Sequence, residues 1–160
     1  MQNMTLRTLL AAAVSLAVTF ASISTAGASA ITDMLKGQWN GSGTLRLANG
    51  KSERIRCHGN VTAGDTSLSQ LFNCASTANN FTFSTSLEFS GSRVSGDWHG
   101  PDRSGTASGS ASTSSMSLRL KSDDGGGNMN ASFNRCRFTL TVTGWSKELR
   151  SLSVRMRKPC

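Results

Sequence analysis

The sequence predicts an all-β protein, an antiparallel up-and-down barrel of about eight to ten short strands. Three observations predict it. First, apolar residues recur at every second position through most of the chain. In Phe81 to Phe89, Phe81, Phe83, Leu87 and Phe89 face one way and Thr82, Ser84, Ser86 and Glu88 the other, which is the period of a half-buried strand. Second, turn chemistry breaks these runs at short intervals, at Asn49-Gly50, Ala63-Gly64-Asp65, Ser90-Gly91-Ser92, Asp123 to Gly127 and Thr143-Gly144, as sequential hairpins require. Third, each strand has only one apolar face, and closing such a sheet into a barrel removes its exposed edges. A two-sheet β-sandwich is the alternative that the same pattern allows.

The elements follow in order. Residues 1–30 read as a cleaved signal peptide. Arg7 gives a basic start, Leu9 to Phe20 is an apolar run too short to span a membrane, and Ala28-Ser29-Ala30 is a small-x-small cleavage site. Residues 31–160 then form a single β-barrel domain, of ordinary size for one core. Ile31 to Gly37 can make one helical turn at most. In the first strand Trp39, Leu45 and Leu47 share a face; Ile55, Cys57 and Val61 share the next, and Phe72 and Cys74 the one after. After the strand of Phe81 comes a short run through Trp98. Ser104 to Ser115 is the weak place: Gly, Ser, Ala and Thr dominate it and no large side chain sets its register, so it reads as either a strand or a loop. Met116, Leu118 and Leu120 resume the alternation. Cys136, Phe138, Leu140 and Val142 share a face, as do Leu152, Val154 and Met156. Phe133 and Cys136 have opposite parity, which predicts a bulge or break near Asn134-Arg135.

Four cysteines allow three pairings, and hairpin geometry selects among them. Cys57 and Cys74 flank the Gly64-Asp65-Thr66 turn symmetrically, and Cys136 and Cys160 flank the Trp145 to Glu148 connection in the same way. Directly opposed residues of a hairpin bring their Cβ atoms close enough to bridge. Two disulfides, Cys57–Cys74 and Cys136–Cys160, are therefore expected, the second pinning the C-terminus. No C-x-x-C spacing points to zinc, and no metal or other cofactor is expected.

Catalytic chemistry finds little support. The only imidazoles are His58 and His99. Asp97 and His99 share parity, with Ser95 and Ser104 close in sequence, yet no G-x-S-x-G elbow accompanies them. A solvent-exposed loop histidine is the plainer reading, and no catalytic residues are assigned. The carboxylates show no acid–base pairing, and neither glycine-rich stretch leads into a helix that could hold phosphate.

Charge carries the best lead. The chain has 17 Lys and Arg against 9 Asp and Glu, a formal net charge of +8. Arg135, Arg137, Arg155 and Arg157 are expected on the outer faces of two paired strands, and with Arg119 and Lys121 they would make one positive stripe. Such a stripe attracts anionic partners: lipopolysaccharide, lipid head groups or an acidic glycan. Nucleic acid fits worst, because no exposed aromatic platform accompanies the arginines.

Two resemblances add to this. Gly37-Gln38-Trp39 resembles the G-x-W start of calycin barrels, the group of lipocalins and avidins. That resemblance implies a Trp packed near a basic residue of the last strand, here Arg155 or Arg157. A longer pattern, Trp39-Asn40-Gly41-Ser42-Gly43 with Glu53-Arg54-Ile55-Arg56-Cys57 and Cys74-Ala75-Ser76, resembles a set of small exported alphaproteobacterial proteins. It implies export and a β-barrel and carries no site residues. Cys136 and Cys160 lie outside the pattern, so their pairing rests on hairpin geometry alone.

Together these observations lead to the expectation of a non-catalytic, periplasmic or secreted binding module of the cell envelope. It would bind an anionic surface through the outer stripe, or a small apolar ligand inside a barrel whose mouth lies near Trp39 or Trp98. The alternative is a secreted inhibitor or interaction module acting through Trp-bearing loops, Trp98 to Ser104 or Trp145 to Leu149, with exposed Trp as anchor.

Overall fold

The structure, a computed structural model, describes residues 26–160; of the expected signal peptide, residues 1–30, all but the last five residues lie outside them. One helix, α1 (Ala26–Leu35), precedes ten strands: β1 (Gly37–Leu47), β2 (Ser52–Ala63), β3 (Ser67–Ala75), β4 (Asn80–Ser90), β5 (Arg93–His99), β6 (Ser104–Ala111), β7 (Ser115–Ser122), β8 (Gly125–Phe133), β9 (Arg137–Thr143) and β10 (Leu149–Arg157). Each strand pairs antiparallel with its neighbours in sequence, and β1 pairs with β10, so the sheet is a closed up-and-down barrel. The sandwich alternative is thereby set aside.

The alternation read from the sequence is the alternation of inside and outside. Trp39 and Leu45 of β1, Ile55, Cys57 and Val61 of β2, and Phe81, Phe83, Leu87 and Phe89 of β4 are buried, as are the apolar residues of β7, β9 and β10. Between Trp39 and Leu45 the inward positions are Gly41 and Gly43. A Cβ at either would collide with the β10 backbone at Arg155–Met156 and Ser153–Val154, so glycine is what lets the β10 backbone approach β1 this closely.

Ser104 to Ser115 resolves into strand β6 and a turn. Gly109 lies against the Ser117 carbonyl and Leu118 of β7, and the inward Ala107 and Ala111 are buried. Small residues are what this closely approached strand needs. The parity change at Asn134-Arg135 is a hairpin turn rather than a bulge within a strand: Phe133 pairs directly with Phe138, and Asn134 Oδ1 accepts from the backbone N–H groups of Cys136 and Arg137. Cys136 therefore sits in the turn before β9, not on the β9 face with Phe138.

The helix corrects a further expectation. α1 has ten residues where one turn was foreseen. Reading a cleavage site at Ala30 divided a periodic run: Ala28, Ile31 and Leu35 fall at helical spacing, and all three are buried with the barrel core. α1 lies at the end of the barrel where β1 begins and β10 finishes, termed here the capped end; the other is the open end.

Aromatic side chains fill the interior in two groups. Trp39, Phe138 and Phe72 stack towards the capped end, with ring centroids 5.6 and 5.8 Å apart. Phe81, Phe83, Trp98 and Trp145 meet at 5.1 to 6.5 Å. One polar pair interrupts the core. Gln70 of β3 and Thr85 of β4 are direct partners in the sheet, both 2% exposed, and neither side chain has a hydrogen-bond partner among the described residues.

Candidate functional site

The registers of β10, β1 and β2 build the site on the outside of the barrel. β1 runs between the other two strands, and its outward residues are short. Ser42 is flanked by Arg155 on β10 and Arg56 on β2; Thr44 by Ser153 and Arg54; Asn40 by Arg157 and His58. All of these arginines are exposed. Arg157 also faces Arg137 directly across the β9–β10 pair. Two-residue steps along a strand are about 7 Å, and strands lie about 4.8 Å apart. Arg54, Arg56 and Arg155 are thus basic groups spaced about 7 and about 10 Å apart around a floor of hydroxyls.

This face is sunk. A depression of 1710 Å³ extends from Arg155 and Ser153 on β10 across Ser42 and Thr44 to Arg54, Arg56 and His58, and on to Asn73 and Thr82 on β3 and β4. Its one acid is already engaged. Glu53, on the open-end rim, accepts hydrogen bonds from Ser76 Oγ and from Asn79 Nδ2 at 2.9 Å. These two bonds, with Lys51 nearby, hold its carboxyl below the usual glutamate range. His58 Nδ1 is hydrogen-bonded to Asn40 Oδ1. The depression therefore presents three guanidinium groups and no free carboxylate.

The expected stripe is only partly assembled. Arg137, Arg155 and Arg157 come together as foreseen. Arg119 and Lys121 do not join them: Arg119 pairs with Asn128, Asn128 with Thr143, and Thr143 with Ser151. That row meets β10 four residues from Arg155, and two strands lie between. Arg135 stands in the β8–β9 turn at the capped end, where its charge helps lower the Lys158 pKa, second to burial. Arg54 and Arg56 take the place of these three. They were visible as outward neighbours of Cys57, but only the β1–β10 pairing brings them beside Arg155, and no turn in the sequence specifies that pairing.

Both disulfides form as expected, Cys57–Cys74 and Cys136–Cys160. Cys57 and Cys74 are direct register partners inside the barrel. Cys160 lies beyond β10 and reaches back to the turn at Cys136. Between them, Lys158 does what the G-x-W resemblance implied for Arg155 or Arg157. Its Nζ stands 4.8 Å from the Trp39 ring centroid and donates to the carbonyls of Met34 and Lys36, each at 2.7 Å. Trp39 Nε1 donates to Leu35 O at 2.8 Å. Three carbonyls at the C-terminus of α1, otherwise orphaned, are satisfied from the barrel. Arg155 and Arg157 instead point outward.

The tryptophans are core. Trp39 is 1% exposed and Trp98 and Trp145 are fully buried, so none lines an open mouth and neither Trp98 nor Trp145 is an exposed anchor on its loop. Asp97 and His99 lie exposed on the outer face of β5, without a side-chain hydrogen bond between them among the described residues.

No protein-family model matches the sequence, and no curated protein matches it. Among solved structures, the chain is similar to the S-type phycobiliprotein lyase CPES from Guillardia theta, with a TM-score of 0.59 at 11% identity, covering 84% of this chain and 94% of that one. It is also similar to a redesigned β-barrel, with a TM-score of 0.47 at 10% identity, covering 84% and 99%. At 11% identity the likeness to the lyase is one of fold.

Proposed function

We propose that this protein is a non-catalytic binding module of the cell envelope, periplasmic or secreted, that holds an anionic component on the outer face of β10, β1 and β2. The observation that carries this reading is the placement of Arg155 and Arg56 on either side of Ser42 in a depression whose only acid is hydrogen-bonded elsewhere. Arginine forks match phosphate and carboxylate. The aromatic packing of the interior favours the outer face over a small apolar ligand inside. The buried state of Trp98 and Trp145 takes the anchors away from the loop-based alternative.

Two features support an oxidising compartment. All four cysteines are paired, as is usual outside the cytosol, and the N-terminal pattern reads as a leader. Cleavage after Ala30 keeps Ile31, Leu35 and the Trp39–Leu35 hydrogen bond in the mature chain. The outward face is polar, with Leu71 its one exposed large apolar residue among those described, unlike the apolar outer band of a membrane-spanning barrel.

Co-sedimentation with three anionic probes, lipopolysaccharide, bead-coupled polygalacturonate and phosphatidylglycerol vesicles, tests the reading. Binding to at least one of them is expected at ~0.01 M salt, where the Debye length is about 30 Å, and loss at ~1 M, where it is about 3 Å. Arg56→Ala combined with Arg155→Ala removes the low-salt binding. Absence of any binding at low salt would sink the proposal.

A further inference from the structure

We infer that the depression takes a single chain of an acidic polysaccharide, bound across β10, β1 and β2, and not the plane of a lipid bilayer. The inference rests on the anion-binding reading above and names its ligand class.

Shape is the first ground. The basic groups Arg54, Arg56 and Arg155 line a 1710 Å³ depression. A flat membrane meets the rim of such a surface, whereas a flexible chain reaches its floor. Lining chemistry is the second. Apart from the arginines, the outward side chains of the lining include Ser42, Thr44, Asn73, Thr82, Ser153 and His58, donors and acceptors suited to sugar hydroxyls. Acyl chains or an interfacial wedge would need exposed apolar side chains. Leu71, 44% exposed, is the one large apolar residue exposed among those described, and it does not line the depression.

Spacing is the third ground. The basic positions repeat along β2 (Arg54, Arg56) and recur two strands away (Arg155), so a ligand carrying acids at intervals engages several at once. Multipoint attachment raises affinity well above that of one acid group. Bases of a nucleic acid would want an aromatic surface to stack on, and all three tryptophans are buried.

Isothermal titration at low salt, with the whole mature chain, tests this. The probes are an oligogalacturonate, galacturonate monomer and phosphatidylglycerol vesicles. The oligomer is expected to bind at least about tenfold more tightly than the monomer, with no heat from the vesicles. Arg56→Ala with Arg155→Ala should weaken oligomer binding by about tenfold or more, a loss of about 1.4 kcal/mol. Arg119→Ala with Lys121→Ala should leave it within about twofold. These side chains are exposed, and unchanged thermal melting will show that the variants fold. Vesicle binding that depends on Arg56 and Arg155 would overturn the polysaccharide assignment and leave the anion-binding reading standing. Oligomer binding lost only with Arg119 and Lys121 would overturn the site. Silence from all three probes would overturn the polysaccharide assignment, and silence from lipopolysaccharide as well would overturn the anion-binding reading.

Discussion

Among the described residues, three core side chains carry buried polar atoms without a hydrogen-bond partner, Gln70, Thr85 and the Trp145 indole N–H, and the first two lie side by side in the wall. Gln70 and Thr85 are buried, adjacent and unpartnered, and an unsatisfied buried polar group costs about 1–3 kcal/mol. Replacing both by apolar groups of similar size, Gln70→Met with Thr85→Val, is therefore expected to stabilise the barrel by about 1–2 kcal/mol, read as a higher midpoint in urea. An unchanged or lower midpoint would show that these groups are satisfied in solution. At the open-end rim Glu53 behaves differently. Its carboxyl is held low by Ser76 and Asn79, so the folded pKa lies beneath the unfolded one. Its contribution to stability is full above the ordinary glutamate value of about 4.3 and is lost as pH falls through the depressed value. The amide of Asn79, followed by NMR in acid, should titrate with Glu53 in the wild type and not in Glu53→Gln. Neither feature was legible beforehand. Gln70 and Thr85 sit at inward parity in strands otherwise apolar on that side, a local inconsistency that alternation alone passes over, and the Glu53 contacts depend on a loop conformation.

At the level of elements, β4, β7, β9 and β10 could be read directly because large apolar side chains mark every second position. β6 could not, because its inward residues are Ala and Gly, and smallness there follows from its closeness to β7. α1 was read too short because its helical spacing crosses the cleavage site expected at Ala30. The two disulfides, although drawn from the same argument, differ in setting. Cys57 and Cys74 are 1% and 3% exposed inside the barrel, whereas Cys160 is exposed and Cys136 half-buried. Thiol–disulfide exchange needs access to sulfur, so mild reductant should open Cys136–Cys160 first. Alkylation with mass mapping is expected to label Cys136 and Cys160 before Cys57 and Cys74; simultaneous or reversed labelling would contradict this. The Cys160 tail carries Lys158, so opening that bridge also loosens the contact over Trp39, and its indole fluorescence should change at the same step.

On the scale of the whole molecule, nine of the ten strand pairings join neighbours in sequence, and five of those connections carry turn chemistry that announces them. The fold class followed from those turns and from the two-residue period. The tenth pairing, β1 with β10, has no turn. Its offset comes from inward packing and from Gly41 and Gly43 admitting the β10 backbone. The candidate site straddles that seam, which is why the basic residues of β9 and β10 were recognised and their partners on β2 were not.

The same seam bears on how the molecule is made. Residues such as Asn40, in the first strand of the barrel, find their partner Arg157 only at the end of β10, its last strand. Every hairpin can assemble as it appears, but the cylinder cannot shut until β10 has been made. Until then β1 waits with one edge bare, its polar backbone and its arginine-ringed hollow incomplete. The protein thus acquires its proposed grip on a ligand only when the barrel shuts, so a nascent or truncated copy lacking β10 would have no working hold on an anion.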